Sequence, residues 1–192
     1  MSVVIAARYN KGIAIIADKQ ATLGTTKTDG VTKVKHFEKS QSCIGTVGHL
    51  RDCNVMRTID EIIPYADLYM GAEIDEDYVI KSIVPGIINT LHENRRINDA
   101  SGIISMNSSM IYVTKDKMFH IGQDFGAYEI QECFGVIGSG DDKVRGFMTG
   151  VGNTAGMSEK QITKVLGDAI SKACETDVYI NNKMDLIFCT AE

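Results

Sequence analysis

Two apolar runs open the chain, Val3 to Ala7 and Ile13 to Ala17, separated by the turn-like Tyr9-Asn10-Lys11-Gly12. This spacing predicts a β-hairpin that ends at Asp18 and leads through a Gly/Thr-rich loop to Lys33. Residues 33–38 and 42–48 alternate or run apolar around Lys39-Ser40-Gln41, which predicts two more paired strands. From Leu50, apolar residues at 53, 56, 59, 62 and 63 recur at helical spacing, and Pro64 is expected to close that helix. A second helix is expected from near Asp75, with Val79, Ile80, Ile83, Val84, Ile87, Ile88 and Leu91 as its stripe and a kink at Pro85-Gly86. Strand character returns at 103–106, 109–114 and 118–121, with residues 115–117 as the turn between the last two.

Residues 133–137 are almost wholly apolar and predict a strand at the centre of a sheet, running into Gly138-Ser139-Gly140 and a helix from Asp141. Ser158-Glu159-Lys160-Gln161 has the form of a capping box, and Ile162, Val165, Leu166, Ala169, Ile170 and Ala173 form the buried stripe behind it. Residues 184–190 supply a last strand. Strands, helices, strands, helices and a strand in separate blocks predict an α+β protein: two sheets stacked face to face with a helical layer outside each.

Composition narrows this picture. The chain has 192 residues, 44% of them apolar, and no linker-like stretch, so residues 1–192 are expected to form one domain. A formal charge of −5 with acids and bases interspersed argues against nucleic acid as a partner. No run approaches the roughly 20 apolar residues needed to span a bilayer, so no membrane association is expected and a soluble, cytoplasmic protein is. Cys43, Cys53, Cys133, Cys174 and Cys189 show no CxxC spacing, which favours reduced buried thiols over disulfides or metal ligands. Gly138-Ser139-Gly140 is followed by Asp141 and Asp142, which would repel phosphate, and there is no HExxH or GxSxG motif. No cofactor or metal is expected.

The opening stretch carries the chemistry. A serine hydroxyl is a poor nucleophile at neutral pH and needs a base within hydrogen-bond reach. If Met1 is removed, the α-amine of Ser2, with a reference pKa of about 7.7–8.0, is such a base on the same residue. A nearby Lys33 ammonium would keep that amine neutral, and Asp18 would hold Lys33 in place. Taken singly, Asp18 reads as a turn cap, Lys33 as a strand-edge lysine and Ser139 as a helix-start residue; only their joint occurrence favours catalysis.

Several blocks in order, Ser2-Val3-Val4-Ile5, Ile16-Ala17-Asp18-Lys19-Gln20-Ala21-Thr22-Leu23-Gly24, Lys33-Val34, Ile44-Gly45-Thr46-Val47-Gly48, Ile137-Gly138-Ser139-Gly140 and Asp177-Val178-Tyr179, resemble the proteasome β-type N-terminal-nucleophile hydrolases, among them the bacterial HslV peptidase. The resemblance implies a four-layer αββα sandwich and a peptidase acting on unfolded polypeptides inside a homo-oligomeric ring, fed by a separate AAA+ ATPase unfoldase. It places Ser2 at the nucleophile, Asp18 and Lys33 beside it, the Gly48 N–H in the oxyanion hole, and Ser139 with Asp177 as the pair orienting the terminal amine. Ala21, Thr22 and Thr46 fall at substrate-contacting positions. The sequence departs from the family at Ser2, where Thr is usual, at Ile180, where a second supporting Ser is usual, and at His49, where a small residue is usual; the loop before Lys33 is one residue short. A non-catalytic ring or scaffold homologue, and an amidase or transpeptidase using the same acyl-enzyme chemistry, are the alternative readings.

Overall fold

The computed structural model describes residues 2–99, 102 and 104–190. The state of Met1 and the place of Ile103 in an expected strand lie outside them. Strand β1 (Val3–Tyr9) turns through Asn10-Lys11 into β2 (Gly12–Asp18), pairing Val4 with Ala17 and Tyr9 with Gly12 as the expected hairpin. A short hairpin that the sequence pattern does not announce, β3 (Ala21–Leu23) with β4 (Thr26–Thr28), forms within the Gly/Thr-rich loop. Then follow β5 (Val34–Phe37), β6 (Ser42–Gly48), α1 (Leu50–Thr58), α2 (Tyr65–Met70), α3 (Glu76–Tyr78), a π-helical turn (Val79–Ile83) and α4 (Val84–Glu93). The second half holds β7 (Ser108–Val113), β8 (Met118–Ile121), β9 (Ala127–Glu129), β10 (Phe134–Gly138), α5 (Asp141–Val151), α6 (Glu159–Cys174) and β11 (Met184–Thr190).

Apart from the two-stranded β3–β4 hairpin, the strands form two antiparallel sheets, ordered β10-β1-β2-β11 and β5-β6-β7-β8-β9. Side-chain alternation along β1 divides its residues between two layers: Val3, Ile5, Ala7 and Tyr9 pack toward α5 and α6, while Val4 and Ala6 face the second sheet. On the far side, Phe37, Ile44, Tyr112 and Phe119 pack against Met56, Ile83, Ile87 and Leu91 of the helices. Three apolar layers between four structural ones make the αββα sandwich that the sequence predicts.

Four expectations change. The helix from Leu50 ends at Thr58, not at Pro64. The Glu61 carboxylate accepts from the N–H groups of Ile62 and Ile63 and from Ser40, so local side-chain bonds replace helical ones while Ile62 and Ile63 still enter the core. Pro64 instead precedes α2, a helix not foreseen. At Pro85 the expected break is a π-turn: the Val84 N–H reaches Val79 O, and the ring that has no N–H to offer sits in the first turn of α4. Residues 104–106 form only the isolated bridge of Ser105 with Asn98. Strand β10 lies at a sheet edge and not at the centre; it is apolar because α5 covers one face and the second sheet the other.

Candidate active site

The N-terminal end of β1 meets the C-terminal ends of β2 and β10, so Ser2 is flanked by Asp18 on one side and Ser139 on the other. Hydrogen bonds hold it there: Ser139 N–H donates to Ser2 O at 2.9 Å, and the next amide, Val3 N–H, donates to Asp18 Oδ1 at 2.9 Å. Gly138 makes the first of these approaches possible. At φ +112° it lies so close that a β-carbon would fall 2.0 Å from Ser2 O.

Asp18 and Lys33 form a buried ion pair behind Ser2, with Lys33 Nζ 2.8 Å from Asp18 Oδ2 and side-chain exposures of 3% and 0%. Lys33 also donates to Gln20 O at 2.6 Å, and Asp18 Oδ2 accepts from Gln20 N–H at 3.0 Å. Burial pulls Lys33 below the usual lysine pKa, and Asp18 opposes that pull. The result is a cation whose proton is held less tightly than on a surface lysine.

The other expected pair also forms. Ser139 Oγ donates to Asp177 Oδ2 at 2.6 Å, and Asp177 is held on the turn after α6 by Tyr179 N–H to its Oδ1 at 2.8 Å. Ile180, where the family has a second serine, is buried against Gly140 and contributes no hydroxyl.

Two adjoining clefts open on Ser2. The larger, about 640 Å³, is lined by Ser2, Val47, Gly48, His49, Asn107, Ser109, Gln123, Gly138 and Ser139. The smaller, about 40 Å³, is lined by Ser2, Gln20, Ala21, Thr22, Lys33, Gly48, Leu50 and Cys53. Ser2 and Gly48 therefore stand at the junction of both. Thr46 N–H donates to Lys33 O on the β5 side of β6, and strand amides two residues apart point the same way. By the same alternation, Gly48 N–H falls on the β5 side of β6, the side on which Lys33 lies.

Of the sequence-derived substrate positions, Ala21 and Thr22 line the smaller cleft. Thr46 lines neither: it is 1% exposed on the helix-facing side of β6. Cys53 of α1, whose Sγ donates to Thr46 O, stands at the wall instead, its thiol pushed up to about 11 by burial. Asn107, Ser109 and Gln123 were not foreseen; they arrive through the β6–β7–β8 pairing, which local patterning does not encode. Among the described residues no group of three or more His, Cys, Asp or Glu is placed to hold a metal ion, and no helix is long and apolar enough to cross a membrane.

Comparison with known proteins accords with this geometry. A family model described as proteasome subunit matches residues 2–189. Among solved structures, the chain is similar to the eukaryotic HslV from Trypanosoma brucei, with a TM-score of 0.66 and 16% identity over 96% of this chain and 97% of that one. It is also similar to the Gly-1 mutant of Anbu from Hyphomicrobium sp. strain MC1, with a TM-score of 0.69 and 14% identity over 97% of this chain and 80% of that one. No curated protein matches. The chain belongs to the proteasome subunit family, and its fold is the αββα sandwich of the N-terminal-nucleophile hydrolases.

Proposed function

We propose that this protein is an N-terminal serine peptidase that cleaves unfolded polypeptides through an acyl-enzyme on Ser2. The observation that carries this reading is the convergence on Ser2 of the buried Asp18–Lys33 pair, the Ser139–Asp177 pair and Gly48, at the junction of two clefts.

Removal of Met1 by hydrolysis frees the α-amine. The amine takes the proton from Ser2 Oγ as that oxygen attacks the scissile carbonyl. Lys33, held by Asp18 and Gln20 O, places positive charge near both groups, which favours the neutral amine and the developing alkoxide. Gly48 N–H stabilises the oxyanion. Collapse breaks the C–N bond, and the amine's acquired proton passes to the leaving nitrogen. Water then hydrolyses the ester. Ser139 and Asp177 orient the terminal amine, and Ala21 and Thr22 contact the substrate from the smaller cleft. Thr46 acts on that wall only through Cys53.

The protein works as a homo-oligomeric ring in the cytoplasm, with an AAA+ ATPase as a separate partner. Tyr65, Tyr69 and Met70, exposed together on α2 in the single chain, are apolar surface that such assembly would cover.

Intact mass of the purified protein, alone and after treatment with a peptide vinyl sulfone, tests the reading. The expected result is a mass lacking Met1 that gains one adduct, with no adduct in Ser2→Ala. A chain from which Met1 has been removed enzymatically and which still takes up no adduct would leave a non-catalytic scaffold as the better description.

A further inference from the structure

Behind the larger cleft lies a second buried charge that the reaction does not use directly. Asp52, in the first turn of α1, is fully buried, and both of its oxygens are engaged: Oδ1 by Arg96 Nε at 2.6 Å and Oδ2 by the Ser108 hydroxyl at 2.8 Å. The Ser108 oxygen in turn accepts from the backbone N–H of His49 at 3.2 Å, a donor that Asn107 O shares at 3.1 Å. Asp52 closes the circuit through its own backbone, its N–H donating to His49 O at 3.0 Å. The peptide group following Gly48, and the carbonyl one residue further on, are therefore tied to one buried carboxylate.

Gly48 itself is pressed onto the same residues. At φ +122° it pairs with Ser108, and a β-carbon there would lie 2.3 Å from Asn107 O and 2.6 Å from Ser108 Cα. Neither Asp52 nor Arg96 lines either cleft. A buried carboxylate with an Arg partner adds little net stability compared with an apolar replacement, so its place beside this one turn asks for another reason. Two physical demands supply it. An oxyanion donor works only when it is aimed at the point where charge develops, and a misplacement of about 1 Å costs on the order of a hundredfold in rate. A bare carboxylate next to that point would oppose the developing charge, and Arg96 neutralises it.

We propose that Asp52, Ser108 and Arg96 form a positioning network that fixes the Gly48–His49 turn and so aims the Gly48 N–H at the reacting carbonyl oxygen. Its structural content is the immobilised turn; its kinetic consequence rests on the proposed peptidase reading.

Ser108→Ala tests both in the full-length chain after Met1 removal. Turnover is followed with fluorescein-labelled casein, and amide hydrogen exchange is followed by mass spectrometry over residues 46–53 and, as a control, over β1 and β2. The network predicts that kcat falls about 10- to 100-fold while KM stays within about twofold. Exchange over 46–53 accelerates about tenfold or more, with β1 and β2 protected as in the wild type. Unchanged exchange over 46–53 overturns the proposal, and so does faster exchange with an unchanged kcat. A wild-type protein without turnover defeats the peptidase reading alone, and the exchange result by itself then upholds or overturns the network. If Ser108→Ala also loses protection in β1 and β2, Arg96→Gln, altering a side chain 16% exposed, repeats the measurement with the same expected outcomes.

Discussion

Burial and charge pull against each other at Lys33. Desolvation lowers its pKa, and Asp18, 2.8 Å away, restrains the fall. Between the folded-state value and about 10.5, the unfolded chain keeps a proton that the folded chain has released, so this residue's contribution to stability rises with pH. The stability of the wild type minus that of Lys33→Met is therefore expected to grow as the pH is raised toward the ordinary lysine range, measured by urea unfolding. At neutral pH the same substitution strands a buried carboxylate; it is expected to cost about 3 kcal/mol and to abolish labelling of Ser2. None of this can be read from Lys33 and its neighbours, since a lysine between Thr32 and Val34 looks like an ordinary strand-edge residue. It follows from β2 ending where β5 begins, with Gln20 O waiting between them.

At the level of elements, local signals were most legible where the chain satisfies its own backbone. The capping box at α6 forms as expected: Gln161 Oε1 accepts from both the backbone N–H and the hydroxyl of Ser158, and Ile162, Leu166, Ala169, Ile170 and Ala173 are buried behind it. Gln161→Ala is expected to cost about 0.5–2 kcal/mol, read as a lower thermal midpoint with the fold retained. The boundary of α1 was not legible, because Ile59, Ile62 and Ile63 keep helical spacing whether or not the backbone is helical. Glu61 decides the matter by bonding to Ser40, a residue from another turn. The apolar run of β10 was similarly ambiguous. A strand buried on both faces looks the same at the edge of a stacked sheet as at the centre of an open one.

Across the whole molecule, the two sheets meet so closely that one position cannot carry a side chain. A β-carbon on Gly45 of β6 would lie 2.5 Å from Val4 Cγ1 and 3.0 Å from Ile15 Cδ1. Gly45→Val is expected to wedge the sheets apart at a cost of about 2–3 kcal/mol, seen as a lower urea midpoint, and to weaken labelling of Ser2 because β1 carries it. The sequence by itself determined the hairpin, the order of strand and helix blocks and the sandwich they build, whereas Ser2, Asp18, Lys33, Gly48, Ser139 and Asp177 were named as a set through resemblance to a family. Periodicity and turn chemistry act over a few residues and leave their mark in the chain. Only the tertiary structure decided that Lys33 is buried, that Cys53 rather than Thr46 walls the smaller cleft, that Asn107 and Gln123 line the larger one, and that Asp52 reaches the Gly48–His49 turn through Ser108. Those relations join residues far apart in sequence, through strand register and layer packing, and neither leaves a local pattern.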